Sequence, residues 1–82
     1  MKNLVRVERA RHRLTQKDLA DIVGVTQTTI NSIENKEYQP SALLVLRIAH
    51  YFKVAVNDLF FLDEEDKKYN IPRERKHKLK PR

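Results

Sequence analysis

The chain of 82 residues has a net charge of +6 and no cysteine, which excludes disulfides, thiolate metal sites and a cysteine nucleophile. This length predicts one small domain, and no apolar stretch approaches the roughly 20 residues that span a bilayer. Since the first residues also lack the apolar segment of a signal peptide, the composition predicts a cytoplasmic protein with no membrane role.

The first segment of the chain is basic. Residues 1–17 hold six lysine and arginine side chains against one acidic residue, Glu8, for a net charge of +5. The arginines at positions 6, 9, 11 and 13 cannot share one face of a helix, because successive side chains turn by about 100°. We therefore expect some of them to point outward and Arg9 to turn inward.

A short helix follows, and its ends are marked by Thr15 and Gly24. Thr15 can accept a hydrogen bond from an amide of the opening turn, and apolar side chains recur on one face at Leu19, Ala20 and Val23. Gly24, the only glycine, can adopt the positive φ that often follows a helix end at no steric cost. The pattern predicts a helix that stops and turns at Gly24.

A second capped helix begins after Thr26, with Ile30 and Ile33 on its apolar face. Another face carries four polar side chains, Gln27, Thr28, Asn31 and Ser32. Gln and Asn amides match the N6 and N7 edge of adenine in the major groove, and Thr can touch the thymine methyl. A solvated surface helix is the alternative for this face alone, but the preceding helix and the Gly24 turn favour a helix-turn-helix that reads bases.

Together these elements carry the motifs of a known family. The matching residues are Thr15-Gln16, Leu19-Ala20, Gly24-Val25-Thr26, Ile30 and Glu34-Asn35, continued by Tyr38-Gln39-Pro40-Ser41. Over residues 2–62 the sequence resembles the lambda-repressor-like helix-turn-helix regulators of the Cro and xenobiotic-response-element type. The resemblance implies a compact, all-α, five-helix domain over residues 1–62. It also implies a sequence-specific transcriptional regulator, a repressor, that binds double-stranded DNA.

The resemblance further implies roles for individual residues. It places Gln27, Thr28 and Asn31 against bases, and Ser32, which shares their polar face, is a further candidate base contact. It places Gln16, Asn35 and Lys36 along the DNA backbone, and Lys17, Thr26 and Thr29 are further candidate phosphate contacts. Arg9 and Glu34 match a pair that, in many relatives, joins the first helix, which precedes Thr15, to the recognition helix, which follows Thr26. The alternative is a surface ion pair worth at most about 1 kcal/mol.

The first helix departs from the family pattern at Glu8, which stands where relatives place a large apolar residue. Either this helix is rotated, or Leu4, Val5 and Val7 supply its core contacts instead.

Two later positions also depart from the pattern. Lys36 replaces a glycine after Asn35, which makes Asn35 the expected turn residue, since asparagine tolerates positive φ. Ala55 replaces a serine cap, a loss that typically costs ~1 kcal/mol. The end of the domain is therefore expected to fray unless Asn57 or Asp58 compensates.

Two more helices are predicted after Pro40. Pro40 favours an extended residue before it, and Ser41 is a good cap for a helix through Phe52. Its buried stripe is expected at Leu44, Val45, Ile48, Ala49 and Phe52. A loop and a short closing helix follow, with apolar residues at Val54, Val56, Leu59 and Phe60. No segment shows a strand pattern.

Phe60, Phe61 and Leu62 form a run that is more apolar than closure of the core requires. Relatives often dimerise through this terminal region, so these residues are the candidate contacts of a homodimer. The alternative is that all three pack inward. Two-fold pairing would place two recognition helices about 34 Å apart, one turn of DNA, and would imply a near-palindromic operator.

Residues 63–82 form a charged tail that is expected to be disordered, since it shows almost no helix periodicity. Residues 67–82 carry a net charge of +7, whereas residues 18–66 carry −6. DNA affinity depends on neutralising phosphates, and the acidic residues 18–66 supply no net positive charge for this. The first helix and the tail must therefore supply it. Alternatively, the tail folds back on that middle, solubilises the protein, or holds a partner in an adaptor or antitoxin-type module with the same fold.

Enzymatic activity, cofactor binding and small-molecule sensing are not expected. The sequence has no phosphate-binding glycine loop, no motif that pairs a nucleophile with a base, and no second domain to form a cleft. His12, His50 and His77 lack the spacing of metal ligands. Double-stranded DNA and a second copy of the chain are therefore the expected partners.

Overall fold

The computed structural model describes residues 1–68, which form five α-helices and a two-stranded antiparallel ribbon. In chain order the elements are β1 (Lys2–Asn3), α1 (Val5–Arg11), α2 (Gln16–Val23), α3 (Gln27–Glu34), α4 (Ala42–Phe52), α5 (Val56–Leu59), β2 (Phe60–Phe61) and a 3-10 turn (Asp66–Lys68). Within this part of the chain, no helix combines the length and apolar character that crossing a bilayer requires. The predicted five-helix arrangement is confirmed.

Hydroxyl caps set where α2, α3 and α4 begin. The side-chain oxygens of Thr15, Thr26 and Ser41 accept hydrogen bonds from the amides three residues later, at 3.0, 3.1 and 3.2 Å. Each bond pairs an amide that the start of a helix leaves without an intrahelical partner. The caps predicted at these three positions are confirmed.

The turn between α2 and α3 depends on Gly24. Its φ is +80°, in the left-handed region, and the Val25 amide donates to the Ala20 carbonyl at 3.0 Å. Only Val25 and Thr26 then separate the turn from α3. The predicted end of α2 at Gly24 is confirmed.

Apolar side chains from all five helices meet in one core. The buried ones are Val5, Leu19, Ala20, Val23, Ile30, Ile33, Leu44, Ile48, Ala49, Phe52, Leu59 and Phe60. Val45, Val54 and Val56 are partly buried against them. The helical spacing of apolar residues in the sequence therefore identifies the inward faces of α2, α3 and α4 correctly.

α1 contributes Val5 to the core, and this residue is fully buried. Leu4 and Val7 remain exposed, at 41% and 46%. Glu8 lies at a buried position, where its carboxylate accepts a hydrogen bond from Nη1 of Arg11 at 2.9 Å. The helix thus buries Val5 and satisfies Glu8 with a cation, and it does not turn Leu4 or Val7 inward.

A ribbon of two short strands, which the sequence did not predict, joins the two ends of the domain. Lys2 pairs with Phe61 and Asn3 pairs with Phe60. Strands of two residues are too short to show an alternating pattern in the sequence. Nδ2 of Asn3 also donates to the carbonyl of Ile33 at 3.0 Å, so the ribbon is connected to the last turn of α3.

The end of α3 corrects one prediction. Asn35 has a φ of −88°, and Lys36 is the residue in the left-handed conformation, with a φ of +63°. The amides of Lys36 and Glu37 donate to the carbonyls of Ile33 and Ser32 at 3.0 and 2.9 Å. The prediction that Asn35 is the turn residue was wrong, because these two hydrogen bonds place the turn one position later.

α5 is held without a cap. Within residues 1–68 no side chain caps its start at Ala55, so neither Asn57 nor Asp58 compensates for the missing serine. Leu59 is fully buried, and its carbonyl accepts a hydrogen bond from the amide of Leu4 at 2.9 Å. Burial and this backbone contact therefore secure the short helix.

Residues 63–68 form a closed turn beside the first residue of the chain. The amides of Asp63 and Asp66 donate to each other's carboxylates at 3.0 and 2.8 Å, and the Met1 amine lies 3.1 and 2.9 Å from the same carboxylates. The Asp66 amide and the Met1 amine lower the pKa of Asp63 to about 2. The predicted tail thus begins as a folded turn. Its remainder, residues 69–82, lies outside the described residues, and the disorder expected there stays a prediction.

Candidate nucleic-acid interface

The helix-turn-helix consists of α2, the Gly24 turn and α3. At the start of α2, Thr15 and Asp18 exchange hydrogen bonds between side chain and backbone at 2.9 and 3.0 Å. The bond from the Thr15 amide lowers the pKa of Asp18. At the start of α3, the hydroxyls of Thr26 and Thr29 lie 3.0 Å apart. Both helix starts are closed by side chains, and each carries the partial positive charge of a helix N-terminus.

One face of α3 is open to solvent. Ile30 and Ile33 fill the core on the opposite face, at 0% and 1% exposure. Three of the four predicted base contacts are exposed, namely Gln27, Thr28 and Asn31. The fourth, Ser32, is half-buried. Their amide and hydroxyl groups can donate and accept hydrogen bonds, as recognition of base edges requires.

Gln16 connects α2 to α3 across this surface. Its Nε2 donates to Oδ1 of Asn31 at 3.1 Å and to Oε1 of Glu34 at 3.1 Å. A residue predicted to contact a phosphate therefore holds a residue predicted to read a base. Because Oδ1 of Asn31 accepts this bond, its Nδ2 group points away from Gln16 and remains a donor for a ligand.

Arg9 and Glu34 form an ion pair between α1 and α3. Nε and Nη2 of Arg9 donate to the two carboxylate oxygens at 2.8 and 3.2 Å, and Nη1 donates to the carbonyl of Leu14 at 2.8 Å. The Glu34 side chain has no solvent exposure, and that of Arg9 is 17% exposed. Burial raises the pKa of Glu34, but hydrogen bonds from Arg9 and Gln16 outweigh it and lower the pKa below its ordinary value. The bond to Glu34 raises the pKa of Arg9.

Arg6 reaches the same region, although it was not among the predicted site residues. Its Nε lies 3.3 Å from Oε1 of Glu34, and its Nη2 donates to Oδ1 of Asn35 at 3.0 Å. Its side chain is 60% exposed. A signal for this placement exists in the sequence, because Arg6 and Arg9 are three positions apart and so share one face of α1.

The other predicted phosphate contacts lie at the edges of the α2–α3 unit. Lys17 is exposed on the first turn of α2, and Asn35 and Lys36 are exposed after the last turn of α3. The hydroxyls of Thr26 and Thr29 bond to each other, and Thr26 also caps α3. The predicted residues therefore occupy both helix starts and the end of α3.

The three candidate dimer residues lie in two environments. Phe60 is 6% exposed and belongs to the core, whereas Phe61 and Leu62 are 36% and 62% exposed. Successive side chains of a strand point to opposite sides, so β2 turns Phe60 inward and Phe61 outward. The arrangement in which all three pack inward is excluded. Phe60 is not available to a partner surface, and only Phe61 and Leu62 remain candidates.

Known proteins share these features in sequence. The helix-turn-helix family model matches residues 5–59. Curated relatives described as uncharacterized HTH-type transcriptional regulators include MJ0272 of Methanocaldococcus jannaschii, 42% identical over 66 residues, and YgzD of Bacillus subtilis, 44% identical over 66 residues. Each match covers 80% of this chain and 100% of the relative.

Solved structures share the fold at lower identity. The restriction-modification controller protein C.AhdI from Aeromonas hydrophila matches with a TM-score of 0.63 at 23% identity, over 68% of this chain and 85% of that protein. The P22 c2 repressor, solved in complex with a synthetic operator, matches with a TM-score of 0.62 at 23% identity, over 65% and 80%. These likenesses confirm the lambda-repressor-like fold. The family model and the sequence relatives show that the chain belongs to the helix-turn-helix family of DNA-binding transcriptional regulators.

Proposed function

We propose that this regulator inserts α3 into the major groove of an operator and reads its bases there. The observation that carries the proposal is the pair of capped helices around Gly24, with the apolar face of α3 buried and its polar face open. The major groove, about 12 Å wide, admits an α-helix in this way. The operator complex of the P22 c2 repressor supports the same use of the shared fold.

Base contacts are assigned to Gln27, Thr28, Asn31 and Ser32. The amides of Gln27 and Asn31 match the N6 and N7 positions of adenine, and the methyl group of Thr28 suits the thymine methyl. Gln16 holds Asn31 at 3.1 Å in the free protein, so this side chain is oriented before DNA binds. A pre-oriented side chain loses less conformational freedom on binding, which favours affinity.

Phosphate contacts are assigned to six residues along α2 and α3, namely Gln16, Lys17, Thr26, Thr29, Asn35 and Lys36. The two lysines supply positive charge, and the two helix starts supply amide donors for phosphate oxygens. Gln16 contributes its backbone amide at the start of α2, because both hydrogens of its Nε2 group are donated to Asn31 and Glu34. Such contacts orient α3 in the groove but carry no sequence information. They predict an affinity that falls steeply as the salt concentration rises.

A second copy of the chain is the proposed protein partner. Phe61 and Leu62 form an exposed apolar pair at the end of the ribbon and supply the two-fold contact. A homodimer would place two α3 helices about 34 Å apart and would read a near-palindromic operator. Occupation of that operator would exclude RNA polymerase, so the protein would act as a repressor.

Selection from a random duplex pool at near-physiological salt, followed by sequencing of the retained DNA, tests this function. The wild-type chain is compared with a Gln27→Ala/Asn31→Ala variant and with Asn57→Ala, a control that removes an exposed amide outside α3. We expect a near-palindromic motif that the control retains and the double variant loses. Each α3 substitution should cost ~1–3 kcal/mol at one base pair.

Circular dichroism of each variant separates lost recognition from lost folding. A motif without palindromy would contradict the homodimer and leave base reading by α3 intact. Retention of DNA without any motif would contradict base reading and indicate electrostatic binding alone. In that case the adaptor or antitoxin-type function considered from the sequence becomes the leading hypothesis.

A further inference from the structure

The C-terminal end of α3 lacks the positive charge that a DNA-facing helix needs. α3 contains no lysine or arginine, and its one charged residue is Glu34. The same end carries the negative end of the helix dipole, equivalent to about half an elementary charge. Glu34 and the helix dipole therefore disfavour a phosphate at this end unless nearby cations offset them, and Lys36, just after the helix, is one such cation.

Two arginines of α1 reach this end, and they differ in how many N–H donors and how much positive charge each has left for a ligand. Arg9 is 17% exposed, and its Nε, Nη1 and Nη2 all donate to Glu34 or Leu14. It neutralises Glu34 and retains little capacity for a ligand. Arg6 is 60% exposed and reaches Glu34 only through Nε, at the longer distance of 3.3 Å. The charge of Arg6 is therefore in excess over that of Glu34.

Arg6 also sets the direction of the Asn35 amide. Its Nη2 donates to Oδ1 of Asn35 at 3.0 Å, so the Nδ2 group of Asn35 points away from Arg6. Nη1 of Arg6 has no hydrogen-bond partner within residues 1–68. The two side chains thus hold each other in place while each keeps a donor for a ligand. Neighbouring donors with an excess positive charge suit an anion such as a phosphate.

We propose that Arg6 and Asn35 form a clamp for one backbone phosphate of the operator at the C-terminal end of α3. Arg6 binds the phosphate through Nη1, supplies the charge that α3 lacks, and holds Asn35 as the second donor. This inference rests on the proposed function, since it requires α3 to lie in the major groove. It extends the DNA interface beyond the helix-turn-helix and onto α1.

The salt dependence of DNA affinity tests the clamp. Fluorescence anisotropy measures binding of the selected operator, and of a scrambled duplex of equal length, between about 50 and 200 mM salt. The proteins compared are the wild type, Arg6→Gln, Arg6→Lys and Arg11→Gln. Arg11 is the matched control, because its side chain on the same helix is 66% exposed and pairs with Glu8.

We expect Arg6→Gln to reduce the slope of log affinity against log salt by about 0.9 for each protomer, the effect of losing one phosphate contact. It should weaken binding to both duplexes by the same factor. Arg6→Lys keeps the charge and should retain the wild-type slope, as should Arg11→Gln. Thermal unfolding is recorded alongside, since a role limited to holding Glu34 would lower stability without changing the slope.

Three results would overturn the clamp. These are a wild-type slope for Arg6→Gln, an equal reduction for Arg6→Gln and Arg11→Gln, and a changed preference at one base pair with an unchanged slope. Failure of the proposed function would look different, because the wild-type chain would then bind the operator and the scrambled duplex equally.

Discussion

The two ends of α3 are built differently. At its start, Gln27 and Thr28 are exposed beyond a local hydroxyl cap. Toward its end, side chains from α1 and α2 hold the helix through a network of hydrogen bonds centred on Glu34, whose members are Arg6, Arg9, Gln16, Asn31 and Asn35. The end fixes the orientation of the helix, and the start stays free to meet a ligand. The contacts that orient this helix of eight residues are therefore concentrated at its end, where Asn31 links them to the proposed base contacts.

Breaking the network at Arg9 should have the largest effect. Arg9→Met removes the main cation and leaves the buried carboxylate of Glu34 with Gln16 and Arg6 alone. We expect the free energy of unfolding to fall by about 3 kcal/mol, measured by chemical denaturation at neutral pH. Lys17→Met breaks a pair with Asp21 whose two side chains are both exposed, and it should cost no more than about 1 kcal/mol. Equal losses in the two variants would contradict the central place of the buried pair.

The pH dependence of stability isolates the charge of Glu34. Its folded-state pKa lies below the ordinary value of 4.5, so the ionised form stabilises the fold above that pH, and the contribution is lost as pH falls through the lowered pKa. Glu34→Gln should therefore be less stable than the wild type at neutral pH, with a difference that shrinks on acidification. Asp18 and Asp63, whose pKa values are also lowered, titrate in both proteins and cancel in the difference. Denaturation at a series of pH values measures this, and a constant difference would refute it.

A substitution in the turn after α3 should raise the free energy of unfolding, whereas the preceding substitutions lower it. Lys36 has a φ of +63°, a conformation that costs a residue with a side chain about 1 kcal/mol or more. We expect Lys36→Gly to raise the free energy of unfolding by up to about 1 kcal/mol. The same substitution should weaken DNA binding, because it removes a proposed phosphate contact.

Lys53 provides the control for Lys36→Gly. It follows α4 and has a φ of +58°, so Lys53→Gly should give a similar gain in stability and leave DNA affinity unchanged. Thermal unfolding and anisotropy measure the two properties separately. Equal DNA affinities for the two glycine variants would count against the phosphate contact of Lys36.

The open start of α3 should show the smallest effect on stability. Thr28→Ala removes an exposed side chain and should change the free energy of unfolding by less than about 0.5 kcal/mol. It should reduce discrimination in favour of thymine at one operator position, because the methyl contact is lost. Denaturation and competition with single-base operator variants measure the two effects. A large loss of stability here would contradict the division between the two ends.

Local sequence signals made the helices predictable. Contacts between residues that lie far apart in the sequence have no such local signal. Hydroxyl caps and the Gly24 turn act within a few residues, so neighbouring positions in the sequence reveal them. The ribbon pairs residues from opposite ends of the domain, and two-residue strands have no readable period. The pairing of Arg9 with Glu34 was expected from family resemblance, while the approach of Arg6 depends on how α1 packs beside α3. Base and phosphate assignments stay predictions, since ordered water and DNA deformability also determine specificity.

The ribbon bears on the order in which the domain folds. α2 and α3 are joined by a short turn, so they can meet with little loss of loop entropy. β1 and β2 meet only when the intervening chain, residues 4–59, has closed into a loop. We therefore expect the ribbon to form late and to open first, with amides that exchange with solvent sooner than those of α2 and α3. Because Asn3 of the ribbon holds the carbonyl of Ile33, each opening would also loosen the last turn of α3. Fraying at the ends of the domain would thereby reach its recognition helix.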